Sequence, residues 1–145
     1  MSAAINHALN FLQRIGLLVP ESLIQLLARW SIAYTFWMSG RSKVSGFLDI
    51  SQSTFFLFEH EYALPLVPHV IAAHMATYAE HLFPILLIVG LFTRFAALSL
   101  LLMTTVIQLF VYPEAWDVHM WWAVAALYLI RHGGGVLTLD HLLQR

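Results

Sequence analysis

Residues 68 to 91, PHVIAAHMATYAEHLFPILLIVGL, form an apolar run long enough to cross a bilayer, yet they carry His69, His74, Glu80 and His81. A span needs about 20 residues, so this stretch predicts a membrane helix. An acid near mid-span costs roughly 2.5–3.5 kcal/mol on insertion scales unless it faces a protein interior or a watery cavity. Glu80 therefore needs partners from other helices. At ~100° per residue, His74, Tyr78 and His81 share one stripe, and His69, Ala73, Thr77 and Glu80 an adjoining one. Pro84 cannot donate to the carbonyl of Glu80 four residues earlier, which predicts a kink and a free acceptor beside the carboxylate.

The same pattern predicts further spans at about 22–40, 95–112 and 118–130. Residues 2–19 place Ile5, Leu9, Leu12 and Ile15 at helical spacing against Asn6, Asn10, Gln13 and Arg14, an amphipathic helix suited to an interface. Pro20 and Glu21 make a good helix start. Arg29, in the early turns of the first span, is expected to snorkel toward the near surface. Ser31, Thr35, Ser39 and Ser42 form a small hydroxyl stripe that suits close helix approach. Residues 41–67 are too polar to span and read as a partly helical loop, hugging the interface or re-entrant. Thr104, Gln108 and Tyr112 stand at four-residue steps along one polar face of the third span. Trp121 and Trp122 open the fourth span, as interfacial anchors. After the triple glycine 133–135 comes a short amphipathic segment, Leu137 to Leu143. The fold class is thus an all-α membrane protein, a four-helix bundle with amphipathic terminal segments, in a single domain covering 1–145.

Composition agrees: 60% of the residues are hydrophobic and 10% charged, against about 25% charged in soluble chains. A net charge of −1 without a basic run argues against nucleic acid, whose phosphates demand clustered cations. The chain has no cysteine, so disulfides, thiolate ligands and dithiol chemistry of its own are excluded. Arg14 interrupts the N-terminal apolar run, which does not read as a cleavable signal, and the first span is expected to be an uncleaved anchor. Arg14, Arg94, Arg131 and Arg145 fall on one side of the spans, which places both termini in the cytoplasm. The long loop and the acidic turn Pro113–Asp117 then face outward.

Counting ~1.5 Å of rise per residue from the outer surface, His69, His74, Gln108, Tyr112 and His119 fall in one layer, with Glu80 below and Arg41 near the rim. An outward-opening polar cavity between the helices is expected. Imidazoles on different helices could bind a metal or haem, with His74, His119 and Glu80 as the candidate ligands. HExxH is absent, however, and Met38, Met75, Met103 and Met120 are the only soft donors within the expected spans. A quinone or similar lipid-soluble ring could instead sit among the aromatics, with His74 or His119 hydrogen-bonding a ring carbonyl and Glu80 relaying protons. A purely structural alternative pairs Glu80 with Arg41, Lys43 or a histidinium.

Three segments carry a resemblance. RWSIAYTFWMSGRSK, AEHLFPILLIVGLFTR and GGGVLTLDHLL are similar to the DoxX family of small four-helix membrane proteins, through Arg29, Gly40, Lys43, Glu80, the GLFTR turn and Asp140. FLFEHEYALPLVP and VIQLFVYPEAWDVHMWWA resemble a DoxX-like branch encoded with the maturation machinery of copper-binding ribosomal peptides. The resemblance implies a bacterial inner-membrane protein associated with redox or metal-stress systems; some relatives are quinone-linked oxidoreductase subunits. Glu80, Gln108 and His119 fit the branch pattern, whereas His74 stands where an aromatic is expected. The implied role is an accessory membrane protein of a redox or copper-handling peptide-maturation system, with cytoplasmic maturation or redox proteins as partners. A scaffold docking a soluble partner, or a small carrier working as a homo-oligomer, are the alternatives.

Overall fold

A computed structural model describes residues 3–145, with side chains from residue 5 onward. Met1 and Ser2 lie outside it, although the sequence places Ser2 in the N-terminal helix. The described chain is helical: α1 (Ala3–Gly16), α2 (Glu21–Ser42), α3 (Gln52–Leu57), α4 (His69–Val89), α5 (Thr93–Val106), α6 (Trp116–His132) and α7 (Leu139–Leu143). Two π-helical turns extend α3 and α5, at Phe58–Tyr62 and Ile107–Val111. Among the described residues there is no strand, only an isolated bridge between Val44 and Ile50.

The boundaries follow local chemistry. Pro20 and Pro68 precede α2 and α4, where a missing N–H costs nothing. Ser51 and Thr138 cap α3 and α7 by accepting from the backbone N–H groups of Thr54 and His141. Gly90, at φ +71°, ends α4 in a left-handed conformation that costs glycine little. A Cβ there would also lie 2.5 Å from the Arg29 guanidinium and from Thr138. α4 continues through Pro84, which is buried.

Helices α2, α4, α5 and α6 form a ring in which α2 packs on α4 and α6, and α5 packs on α4 and α6. Their shared core holds Ile32, Phe36, Leu87, Leu100 and Leu129, with Ala33, Ala96, Ala97 and Ala126 where backbones approach closely. Large apolar side chains such as Leu27, Leu82, Leu98 and Leu127 face outward, as they do on a surface solvated by hydrocarbon. Two helices, His69–Val89 and Thr93–Val111, are long and apolar enough to cross a membrane, and a third span results if α1 and α2, bent by 58°, act as one. α6, at 17 residues, is not among them.

Arg29 corrects an expectation. It does not snorkel; it is 1% exposed. Its Nη1 donates to the Leu87 carbonyl at 3.2 Å and its Nη2 to the Leu137 carbonyl at 2.8 Å. The guanidinium is turned inward because the end of α4 and the C-terminal tail present carbonyls that no helix bond satisfies. Asp140 completes this junction by accepting from the backbone N–H groups of Phe92 and Thr93 at 2.7 and 2.8 Å, which caps α5 from 47 residues away.

Candidate functional site

The polar layer assembles from two side-chain pairs at the end of the bundle that carries the 41–67 loop. Lys43, the chain's single lysine, follows directly after α2 and points back into the ring. Its Nζ lies 2.8 Å from Glu80 Oε2, with side-chain exposures of 6% and 4%. The same ammonium donates to the Ser39 hydroxyl at 2.9 Å and the Ser39 carbonyl at 3.3 Å, so its three protons are used. Gly40 makes this reach possible, because a Cβ there would meet the His81 ring at 3.0 Å and the Glu80 Cβ at 3.1 Å. A buried pair is retained only where further hydrogen bonds satisfy both ions, and Ser39 supplies them.

The second pair is His119 and Gln108. Gln108 sits in the π turn that ends α5, and its Nε2 donates to the Pro113 carbonyl at 2.6 Å. A carbonyl can only accept, so this bond fixes the amide orientation. Oε1 must therefore face His119 Nδ1, 2.7 Å away. An amide oxygen is likewise only an acceptor, so Nδ1 carries the proton and neutral His119 presents a bare Nε2. A π turn is a frequent feature of functional sites; here it aims Gln108 inward at the start of α6.

Between the pairs lies a cavity of about 410 Å³ lined by Glu80, Lys43, His119, Tyr112, Trp122 and mainly apolar side chains. It differs from the expected polar chamber in being an apolar cleft with polar groups at its ends. Met75, Leu102 and Val106 line it and yet are 65%, 59% and 39% exposed on the outside of the ring. Access is therefore sideways, between α4 and α5. Nearer the turn the two helices close up, with Phe83 edge-on to Phe95 at 5.9 Å. The loop 41–67 packs against the bundle, seating Phe58 in the wall and Tyr62 edge-on to Tyr112 at 5.8 Å. Burial, followed by the neighbouring Tyr112, pushes the Tyr62 phenol up, so it stays a neutral hydroxyl.

Of the residues the sequence singles out, Glu80, Gln108, Tyr112 and His119 come together here. His74 does not: its ring lies against Phe55 at 5.4 Å and its Nδ1 bonds the Val70 carbonyl of its own helix. Arg41 is exposed and donates to the Phe47 carbonyl, leaving the cation's place at the carboxylate to Lys43. His69 stands 4.0 Å from Glu59 of the 41–67 loop. The hydroxyl stripe of α2 does more than pack, since Thr35 and Ser39 line the cavity. Sequence reasoning weighed Lys43 only as one of several partners and missed Ser39 and Trp122 as lining groups. The available signal was that an apolar chain with one lysine and one mid-span acid pairs them most cheaply. Among the described residues no three of His, Asp and Glu come close enough to hold a metal ion.

Comparison with known proteins now bears on the whole bundle. The DoxX family matches residues 24–113. The chain is also 32% identical over 130 residues, 83% of each chain, to an uncharacterised protein of Haemophilus influenzae. No solved structure matches it. The chain belongs to the DoxX family. It is accordingly a membrane protein, and the matched segment runs from α2 through the π turn of α5. In this DoxX protein the match therefore includes Arg29, Lys43, Glu80 and Gln108, whereas His119 and Asp140 lie beyond it.

Proposed function

We propose that this DoxX protein is a non-covalent binder of a lipid-soluble ring of the quinone type, serving as an accessory component of a membrane redox system. The single observation that carries this reading is the cleft itself: about 410 Å³, walled by Phe36, Phe58, Met103 and Trp122, open toward hydrocarbon, and ended by Lys43–Glu80 and His119. Ligand sites are commonly apolar clefts with a few placed polar groups. The donor set supports a ring better than a metal, because no three of the described His, Asp and Glu side chains come close enough to hold one. A bound quinone would supply two-electron chemistry; the chain's own residues would orient the ring and hold protons at Glu80 and His119.

In this reading the bundle spans the inner membrane four times, with α2, α4, α5 and α6 as spans and both termini cytoplasmic. The segments 56–68 and 106–123 support placement in the branch linked to copper-binding ribosomal peptides, whose cytoplasmic maturation proteins are the partners we infer. Met75 and Met103 line the same cleft as His119, which favours Cu(I) as a second reading, since thioether and imidazole are its ligands.

The test is extraction. Protein purified in mild detergent should release a near-stoichiometric lipid-soluble ring into organic solvent, and Ala76→Trp, which fills the cleft, should release little. A clean extract from the parent protein, together with tight Cu(I) binding, would replace the ring with the metal. An empty extract without Cu(I) binding would leave neither.

A further inference from the structure

The cleft offers a ligand an unbalanced set of hydrogen-bonding atoms. Lys43 has spent its three protons on Glu80 and Ser39. The Thr35 and Ser99 hydroxyls donate to the Ser31 and Phe95 carbonyls of their own helices, which leaves only lone pairs toward the space they line. Ser39 accepts from Lys43 and has the Glu80 carboxylate beside it to take its proton. His119 Nδ1 is committed to Gln108, so its Nε2 is a lone pair. The Glu80 carboxylate, which has about four acceptor positions, is bonded by Lys43 through one oxygen. Among the other lining groups, the Trp122 indole carries an N–H donor, and the hydroxyls of Tyr62 and Tyr112, which hydrogen-bond each other, can either donate or accept.

From this we infer that the cleft selects a membrane-dissolved ring carrying hydroxyl donors, and takes the hydroxylated form of such a ring in preference to its carbonyl form. The inference rests on the reading of the cleft as a ligand site and adds its polarity. A carbonyl oxygen seated against Glu80 would face a carboxylate and an ammonium whose protons are already used, and one seated against His119 would face the Nε2 lone pair. An unsatisfied buried acceptor costs more than a hydrogen bond gains. A phenolic hydroxyl in either place donates, and a hydroquinone, with two hydroxyls, has a donor for each of two such acceptors. The apolar walls and lipid-facing opening set the rest of the class, a ring with an aliphatic substituent. The expectation that histidine would donate to a ring carbonyl is thereby reversed at His119, where the proton is turned away from the cavity by the Pro113 carbonyl acting through Gln108.

A matched, redox-inert pair of probes tests this: 4-hexylphenol and its methyl ether, 4-hexylanisole, titrated calorimetrically into the protein in lipid nanodiscs with empty nanodiscs subtracted. The ether keeps the ring and tail and lacks the donor. The phenol is expected to bind about tenfold more tightly, one hydrogen bond's worth. In His119→Phe, which keeps an aromatic and removes the lone pair, the preference should shrink to about threefold or less. Equal or tighter binding of the ether by the parent protein overturns the inference while leaving the binding site in place. Binding of neither probe overturns the site itself and the inference with it. The parent protein's ratio decides the matter even if the variant does not fold.

Discussion

Lys43 and Glu80 show how one residue type acquires meaning from its surroundings. Alone, either charge would be untenable at 6% and 4% side-chain exposure; together, with Ser39, they are held. Truncating one partner leaves a buried ion, a loss of about 3–5 kcal/mol, whereas replacing both by apolar groups is often neutral or stabilising. Lys43→Met should therefore lower the unfolding midpoint in detergent sharply. The double variant Lys43→Met/Glu80→Leu should regain most of that loss, giving a large coupling in a double-mutant cycle. Additive losses would show that the two charges do not interact. At this scale the sequence made Glu80 conspicuous, because a mid-span acid breaks an apolar pattern. Its partner was harder to read, since Arg41 and Lys43 are two residues apart at the end of α2 and only the turn of the backbone there decides which one faces inward.

Among the elements, the turn between α4 and α5 is held by the C-terminal tail. Asp140 occupies the N-terminus of α5 with two charge-assisted bonds, and the Asp140 N–H donates in turn to the Gly90 carbonyl at 2.9 Å. Cap removal costs about 0.5–2 kcal/mol, and a charged acceptor at a helix N-terminus adds to that. Asp140→Ala should lower stability by about 1–2 kcal/mol and speed hydrogen exchange at Phe92 and Thr93, while Asp140→Asn, which keeps one acceptor, should lose less. Unchanged exchange at those amides would remove the capping role. The helices themselves were legible: α2, α4, α5 and α6 begin and end within a few residues of the apolar runs, because prolines and glycines punctuate them. Tertiary capping was not, since no local signal links Asp140 to an N-terminus 47 residues upstream.

For the whole molecule, the proposed four-span arrangement with both termini cytoplasmic makes a direct labelling prediction. The absence of cysteine makes single-cysteine labelling direct. Phe47→Cys should react with an impermeant maleimide in intact cells, and Arg145→Cys only after permeabilisation. The opposite result would invert the topology; labelling of both from outside would break the four-span reading, because three spans would then separate Phe47 from Arg145.

The sequence by itself determined that this chain is helical, apolar and built around one buried carboxylate, because hydropathy and helical period are properties of neighbouring residues. It also carried the family, through segments at Arg29–Lys43, the GLFTR turn and the tail. Tertiary structure alone decided that Lys43 rather than Arg41 meets Glu80, that His74 packs against Phe55 outside the cleft, and that Arg29 turns inward. It also decided that His119 presents a lone pair. Each of these depends on which groups from distant segments share a dry space, where a hydrogen bond left unmade is expensive and a single proton's position follows from a carbonyl several residues away.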